Sequence, residues 1–275
     1  MTTIDDTYVL GRSDAEARRL ILQHQVYGPL TRQLFTDAGI GRGMKVLEIG
    51  SGSGEVALLC ADLVGPQGRV TGIDMNEEIL DFARQRVAAV GWQNVEFRQG
   101  NLETLELDDE YDAIVGRWIL MYVEDPADVL RRLSSRLRPG GVLVFQESAD
   151  LTTPAYTYPA TPVHGEVQRW MSPPEDLVGP TVNMGHRLYQ AFIDAGLDPP
   201  RLRKDTPIGG GPDWPGYTLL AESLRSLLPF VEQFGTTSAA EIDVDTLEDR
   251  LRAEVVAANA VEVLPAVIGA WSAKR

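Results

Sequence analysis

The chain has 275 residues, 44% of them hydrophobic and 24% charged, a balance that excludes disordered, collagen-like and disulfide-scaffold sequences. At ~100–200 residues per domain this makes a single domain, or one domain with a cap, long enough to bury a core without metal or disulfide help. Its 40 acidic against 25 basic residues give a formal charge of −15, which repels nucleic acid and anionic membranes unless a basic patch intervenes. Arg201, Arg203 and Lys204 form too short a run to be one. The lone Cys60 cannot make an intramolecular disulfide, so a reducing, cytoplasmic setting is expected. No apolar run approaches the ~20 residues of a membrane span, and the acidic opening MTTIDDTYVL does not read as a signal peptide.

Ser13-Asp14-Ala15-Glu16 fits a capping box, so a helix is expected to start there. Leu20, His24 and Tyr27 share one helical face, Gly28-Pro29 is expected to break the helix, and Leu30, Leu34 and Ala38 carry a second one to Gly39. From Lys45 short apolar runs alternate with helical patterns. Strands are expected at Lys45–Ile49, Arg69–Ile73, Val95–Arg98, Ala113–Gly116 and Gly141–Glu147. Between the first two, Val56, Leu59, Cys60 and Leu63 follow helical spacing, which makes Cys60 a core residue. Asp125-Pro126 reads as N-cap and first residue of a helix with Val129, Leu130, Leu133 and Leu137 as its apolar set. Pro139-Gly140-Gly141 should turn into the fifth strand. Strand and helix alternating in this way predict a parallel sheet with helices on both faces.

Past Asp150 the alternation loosens. A short helical stretch is expected near Glu166–Met171, a helix at Val182–Ala195 and a strand near Leu202–Ile208. Helices follow near Tyr217–Phe234 and Thr246–Ala258, and a last strand within Ala260–Trp271.

The most specific feature is Val46-Leu47-Glu48-Ile49-Gly50-Ser51-Gly52-Ser53-Gly54, an apolar strand running into a glycine-rich turn that opens a helix. Glycines permit positive φ and close approach of a ligand. Twenty residues after Gly54, Asp74 closes the second strand, placed to accept hydrogen bonds from two ribose hydroxyls. A dinucleotide fold aims its helix N-terminus at a pyrophosphate. Here Glu48, two residues before Gly50, suits a cofactor carrying a cation near the loop.

This combination resembles the class I S-adenosylmethionine-dependent methyltransferases, whose first motif is hydrophobic-acid-x-G-x-G-x-G. Asp74 matches the family's ribose acid. Gln99-Gly100-Asn101-Leu102 matches the segment that contacts adenine, with Asn101 where Asp is usual and its carbonyl still able to accept from the adenine amino group. Tyr111-Asp112-Ala113-Ile114-Val115 resembles the fourth-strand motif and Leu137-Arg138-Pro139-Gly140-Gly141 the loop before strand five. The resemblance covers about residues 40–147. It implies an α/β Rossmann-like sheet of seven strands, mostly parallel with one antiparallel strand, with helices on both faces and a helical lid. Within one domain, 1–39 would supply cap helices and 40–150 the cofactor-binding core. Residues 151–275 would complete the sheet, with lid insertions near 151–180 and 209–258. The implied cofactor is S-adenosylmethionine, released as S-adenosylhomocysteine. Its candidate contacts are Glu48, Gly50, Ser51, Gly52, Gly54, Asp74, Met75, Asn101, Leu102 and Arg117, the last followed by Trp118 at the sheet's carboxyl edge, where packing is an equal reading.

Methyl transfer is an in-line displacement that needs alignment, exclusion of water and, for some acceptors, proton removal. His24, His164 and His186 are the three histidines. His186 begins the helix after strand five, where the helix N-terminus disfavours imidazolium. Tyr27 ends the first helical face, so Tyr27 and His186 are the catalytic candidates for a proton relay. Contact of Tyr27 with the cofactor carboxylate and helix capping by His186 are the plainer alternative. Aromatic residues Tyr156, Tyr158, Trp170, Trp214, Tyr217, Phe230 and Phe234 in the lid insertions suggest a small, apolar or aromatic acceptor. No cluster has metal-ligand spacing, Glu147 and Asp150 being too few, so no metal is expected. The pattern as a whole looks like actinomycete small-molecule methyltransferases of natural-product pathways. The Tyr/His pair is similar to enzymes that methylate indole C3 of tryptophan-derived metabolites such as diketopiperazines. An O- or N-methyltransferase of another metabolite, an NAD(P)-dependent oxidoreductase on the same fold and a non-catalytic cofactor-binding scaffold are the rivals. A small-molecule acceptor is the only partner expected, with no nucleic acid and no membrane. The oligomeric state stays open, a homodimer included.

Overall fold

The computed structural model describes residues 14–107, 109–149, 155–171, 183–233 and 238–275. They divide into two compact units, a sheet unit (27–150, 180–205 and 266–275) and a second unit (1–26, 151–179 and 206–265).

In the sheet unit, β1 (Lys45–Ile49), β2 (Arg69–Asp74), β3 (Val95–Gln99), β4 (Tyr111–Arg117), β5 (Leu137–Ser148), β7 (Arg201–Asp205) and β10 (Val267–Ala273) form one sheet in the order β3-β2-β1-β4-β5-β10-β7. The first five are parallel, and β10 runs antiparallel to both β5 and β7. This is the seven-stranded Rossmann-like sheet expected from the sequence.

The period-2 alternation of each strand separates two cores. Val46, Val70, Ala113, Val115, Val142 and Val144 face α2 (Glu55–Val64), α3 (Glu77–Val90) and the later part of α1 (Asp14–Asp37), where Leu34 and Phe35 are fully buried. Leu47, Ile73, Ile114, Leu143 and Phe145 face α4 (Pro126–Ser135) and α6 (Met184–Asp194). Cys60 is buried in the first core, which pushes its thiol pKa well up. Asp125 caps α4 by accepting from the Asp128 N–H at 3.0 Å, with Pro126 at the first helical position.

Three expectations change. Gly28-Pro29 does not end the first helix, because α1 continues through Pro29 to Asp37. A helical proline costs ~3 kcal/mol. Burial of Leu34 and Phe35 beyond it, and a bond from the Thr31 hydroxyl to the Tyr27 carbonyl at 3.0 Å, outweigh that cost. Pro139-Gly140-Gly141 lies inside β5, where the register with β4 slips between Tyr111 and Ala113. The stretches 202–208 and 260–271 each split into two strands belonging to different sheets. β8 (Ile208–Gly209) and β9 (Val261–Val263) join β6 (Tyr156–Tyr158) in a sheet of order β6-β9-β8. Pro207 and Pro265, which cannot donate to a ladder, stand at the two breaks.

The second unit holds that small sheet with α5 (Pro162–Met171), α7 (Gly216–Gln233), α8 (Ala239–Ile242) and α9 (Val244–Ala257). Its interior holds buried polar groups, including the paired Glu16 and Arg19 and a cluster around Glu262. His164 Nε2 meets Glu262 Oε1 at 2.7 Å, Trp214 Nε1 donates to Glu262 Oε2 at 2.6 Å, and His164 Nδ1 meets Thr161 Oγ1 at 3.1 Å. Ser13 of the capping box, Asp150, Val182 and Phe234 lie outside the described residues, as does the side chain of Phe230.

Candidate active site

The site forms at the carboxyl ends of β1, β2, β4 and β5. After Ile49 the chain turns through Gly50, Gly52 and Gly54 at φ of +72°, +49° and +82°. Side chains are disfavoured there on two counts, backbone strain and space, since a Cβ on Gly50 would stand 2.7 Å from Ile119 Cδ1. The turn is tied to β2. Gly50 and Ser51 N–H groups donate to the Ile73 carbonyl at 2.8 and 2.9 Å. Gly52 N–H donates to Asp74 Oδ2 at 2.9 Å, while Asp74 Oδ1 accepts from Asn76 N–H at 3.0 Å. Burial raises the Asp74 carboxyl pKa, and these backbone donors oppose the shift.

Glu48 is the penultimate residue of β1 and is buried. Its Oε2 and the Ser51 hydroxyl have no hydrogen-bond partner. Burial pushes the Glu48 carboxyl pKa up to about 8, with the nearby Ser51 side chain and then the Arg117 guanidinium pulling against it. Arg117, ending β4, is in turn lowered to about 10 by burial and supported by Glu48 and Glu55. Glu55 opens α2 and pairs with Arg86. Arg117 Nη1 donates to Thr31 Oγ1 at 3.2 Å, and Thr31 Oγ1 bonds Gln146 Oε1 at 2.7 Å.

Beside this polar cluster stands an aromatic wall. Trp118 adopts φ +53°, rare for a bulky L residue. Its ring lies 5.2 Å from the Arg117 guanidinium and meets the buried Tyr27 ring edge-on, with centroids 4.9 Å apart.

The sequence-derived candidates therefore separate. Glu48, Gly50, Ser51, Gly52, Gly54, Asp74 and Arg117 come together, with Tyr27 joined through Trp118. Met75 is exposed next to Asp74, its carbonyl accepting from Gln99 Nε2 at 3.0 Å. Asn101 is exposed, and its Oδ1 accepts from Glu103 N–H at 2.9 Å within its own turn. Leu102 packs half-buried against the core. His186 lies exposed in the first turn of α6, in a setting unlike that of buried Tyr27. Thr31 and Gln146 went unnoticed as site residues, and Glu147 was considered only as a metal ligand and set aside. The one available signal was a pair of polar residues ending the otherwise apolar run Val142-Leu143-Val144-Phe145. Among the described residues no group of three or more His, Cys, Asp or Glu could hold a metal ion, and no helix is long and apolar enough to cross a membrane.

A family model for the methyltransferase domain matches residues 40–193, more than half of the chain. The chain belongs to the class I S-adenosylmethionine-dependent methyltransferase family. Demethylmenaquinone methyltransferase of Staphylococcus aureus is 30% identical over 135 residues, 49% of this chain and 54% of that protein. The chain thus spans about half the length of the curated relatives it matches. Among solved structures, the YcgJ protein of Bacillus subtilis aligns at TM-score 0.52 and 18% identity over 92% of this chain and 99% of that one. A coclaurine N-methyltransferase bound to N-methylheliamine and S-adenosylhomocysteine aligns at TM-score 0.53 and 16% identity, over 90% and 72% of the two chains. At these identities both likenesses concern the fold.

The methyltransferase cofactor fits the residues present. A buried Glu48 oxygen and a Ser51 hydroxyl that make no well-formed hydrogen bond, next to Gly50, which leaves no room for a Cβ, form a cradle with an acidic group. That donor set suits a ligand with a cationic end.

Proposed function

We propose that this chain transfers a methyl group from S-adenosylmethionine to a small apolar or aromatic acceptor. The observation that carries the reading is the buried carboxyl of Glu48, one oxygen of which has no hydrogen-bond partner, beneath the Gly50–Gly54 turn, with Asp74 ending the adjoining strand. When bound, S-adenosylmethionine supplies an electrophilic methyl group on a sulfonium, whose C–S electron pair stays on sulfur as the new bond forms. Glu48 would face the cationic end of the cofactor and Asp74 its ribose, with Met75, Asn101 and Leu102 on the adenine side. Arg117 holds Glu48 toward its ionised form. The aromatic wall of Trp118 and Tyr27 suits an apolar acceptor, and aromatic faces also favour the developing cationic methyl. The relative from Staphylococcus aureus, named for demethylmenaquinone, makes quinol-like aromatics natural members of that acceptor class.

The finer reading, methylation of indole C3 with Tyr27 and His186 moving the indole N–H proton, rests on those two residue types alone. Between them, Tyr27 has the stronger support, since it is buried against the wall while His186 is exposed.

Calorimetry with S-adenosylmethionine and with NAD tests the cofactor. Micromolar binding of the first is expected, and binding of NAD alone would overturn the reading in favour of an oxidoreductase. Incubation with phenols, quinols, indoles and amines under mass detection then identifies the acceptor by the gain of one methyl group.

A further inference from the structure

The pleat of β5 sends Leu143, Phe145 and Glu147 to one face of the sheet and Val142, Val144 and Gln146 to the other. Leu143 and Phe145 belong to the core shared with α4 and α6, so Glu147 continues an apolar stripe as a fully buried carboxyl. A carboxyl in that position needs partners, and those it has are all backbone. Oε1 accepts from the N–H groups of Ile119 at 3.0 Å and Leu120 at 2.8 Å. The preceding N–H, of Trp118, donates to the Gln146 carbonyl at 2.9 Å. Three successive donors of the turn after β4 thus end on two adjacent residues of β5. The second oxygen, Oε2, has no partner.

That turn carries both walls of the candidate site. Trp118 holds a left-handed conformation that a tryptophan does not keep unless its surroundings impose it. The Ile119 side chain fills the space over Gly50, where a Cβ would be too close. Anything that releases the 118–120 backbone therefore moves an aromatic wall and the cover of the glycine turn together.

We propose that Glu147 is a positioning residue whose carboxylate clamps the Trp118–Leu120 turn beside the glycine turn, so that its charge state sets where Trp118 stands. An ionised acceptor bonds backbone N–H groups about twice as strongly as a neutral one, and protonation weakens the clamp. Burial pushes the Glu147 carboxyl up to about 7, against the backbone donors of Leu120, Ile119 and Met121. Among the described residues no charged side chain figures in that shift. Its neighbour across β10 is Ile268, and the titratable residues His186 and Arg187 of α6 are exposed. Glu48 and Arg117 fall on the other face of the sheet, with Val46 and Val115. The switch falls near neutral pH, with the turn held above it and loosened below it.

The clamp is read from the sheet unit alone. Only the ligand it serves depends on the methyltransferase reading. The test labels the whole chain with 5-fluorotryptophan and follows its five tryptophans by fluorine NMR from acid to alkaline pH, Trp118→Phe assigning the relevant signal. The Trp118 resonance should shift with a midpoint near 7, and in Glu147→Gln that transition should be absent, leaving at most a separate one near 8 from Glu48, which reaches Trp118 through Arg117. Glu147→Asp, which keeps the charge on a shorter arm, should restore a titration with a displaced midpoint, and covers the case in which the Gln variant does not fold. A Trp118 signal that titrates alike in wild type and Glu147→Gln, or that does not titrate in wild type, would overturn the proposal. S-adenosylmethionine binding by calorimetry is a separate measurement, so its failure would count against the function without touching the clamp.

Discussion

Glu48→Gln keeps the shape of a buried side chain and removes its charge. The wild-type carboxyl titrates at about 8 rather than its ordinary 4.5, so the folded protein holds this proton far longer than the unfolded chain does. The resulting stability is fully present below pH 4.5 and is lost as pH rises to 8, a span of ~3.5 units worth up to ~5 kcal/mol at ~1.36 kcal/mol each. The Gln variant should therefore match wild type in acid and exceed it in urea midpoint at pH 9. The gain will fall short of that ceiling, because Arg117 loses its counter-charge. Cofactor binding should move the opposite way. A hydrogen bond to a charged group contributes ~1.5–3 kcal/mol, so the variant should bind S-adenosylmethionine ~10- to 100-fold more weakly at pH 9. Wild-type affinity should rise with pH toward 8 as Glu48 ionises, whereas the variant should lack this rise. Calorimetry across pH 6–9 reads both. Equal affinities at every pH would refute the assignment of Glu48 to the cationic end of the cofactor.

Other changes probe the remaining parts. Asp74→Ala removes the acceptor for Gly52 and Asn76 N–H groups, and S-adenosylmethionine affinity should fall at least tenfold in the same calorimetric assay. Gly72→Ala places a Cβ against the Ser51 hydroxyl and 2.7 Å from Phe97 Cδ1. Overpacking of this kind costs ~1–3 kcal/mol, and an unchanged urea midpoint would contradict the packing described. His164→Leu removes one hydrogen-bond partner of the buried Glu262 and leaves it with Trp214, a loss of ~1.5–3 kcal/mol to be read as earlier proteolysis of the second unit. Once an acceptor is known, Tyr27→Phe and His186→Gln should separate. Turnover is expected to drop in the first and to be nearly unchanged in the second, because His186 is exposed. The reverse result would restore His186 as the base.

The glycine turn and Asp74 were readable in advance because their chemistry is local. Positive φ at Gly50, Gly52 and Gly54 and an acid at the end of the next strand need only short-range spacing. The five parallel strands were legible for a similar reason, their apolar runs being short and well punctuated. Pro29 misled because a proline in isolation argues against a helix, and only the burial of Leu34 and Phe35 shows why the helix survives it. Asn101 also shows what spacing leaves out, since its oxygen accepts from the Glu103 N–H in its own turn, with a second lone pair left for a ligand.

What the amino-acid order determined by itself is the sheet unit's alternation, its nucleoside-type loop and the acid beneath that loop. Each follows from periodicity or from φ requirements acting over a few residues. Tertiary structure alone decided which polar groups lose their water. Glu147 and Glu262 are both fully buried, yet residue type and composition do not separate them from the acidic surface that gives the −15 charge. Desolvation depends on partners far away in sequence. Glu147 is bonded to a turn 27–28 residues earlier, and Glu262 to a histidine 98 residues away. Burial turns a carboxylate from a solvated charge into a group with a shifted pKa and unspent hydrogen-bonding capacity, and it is set by the packing of the whole fold.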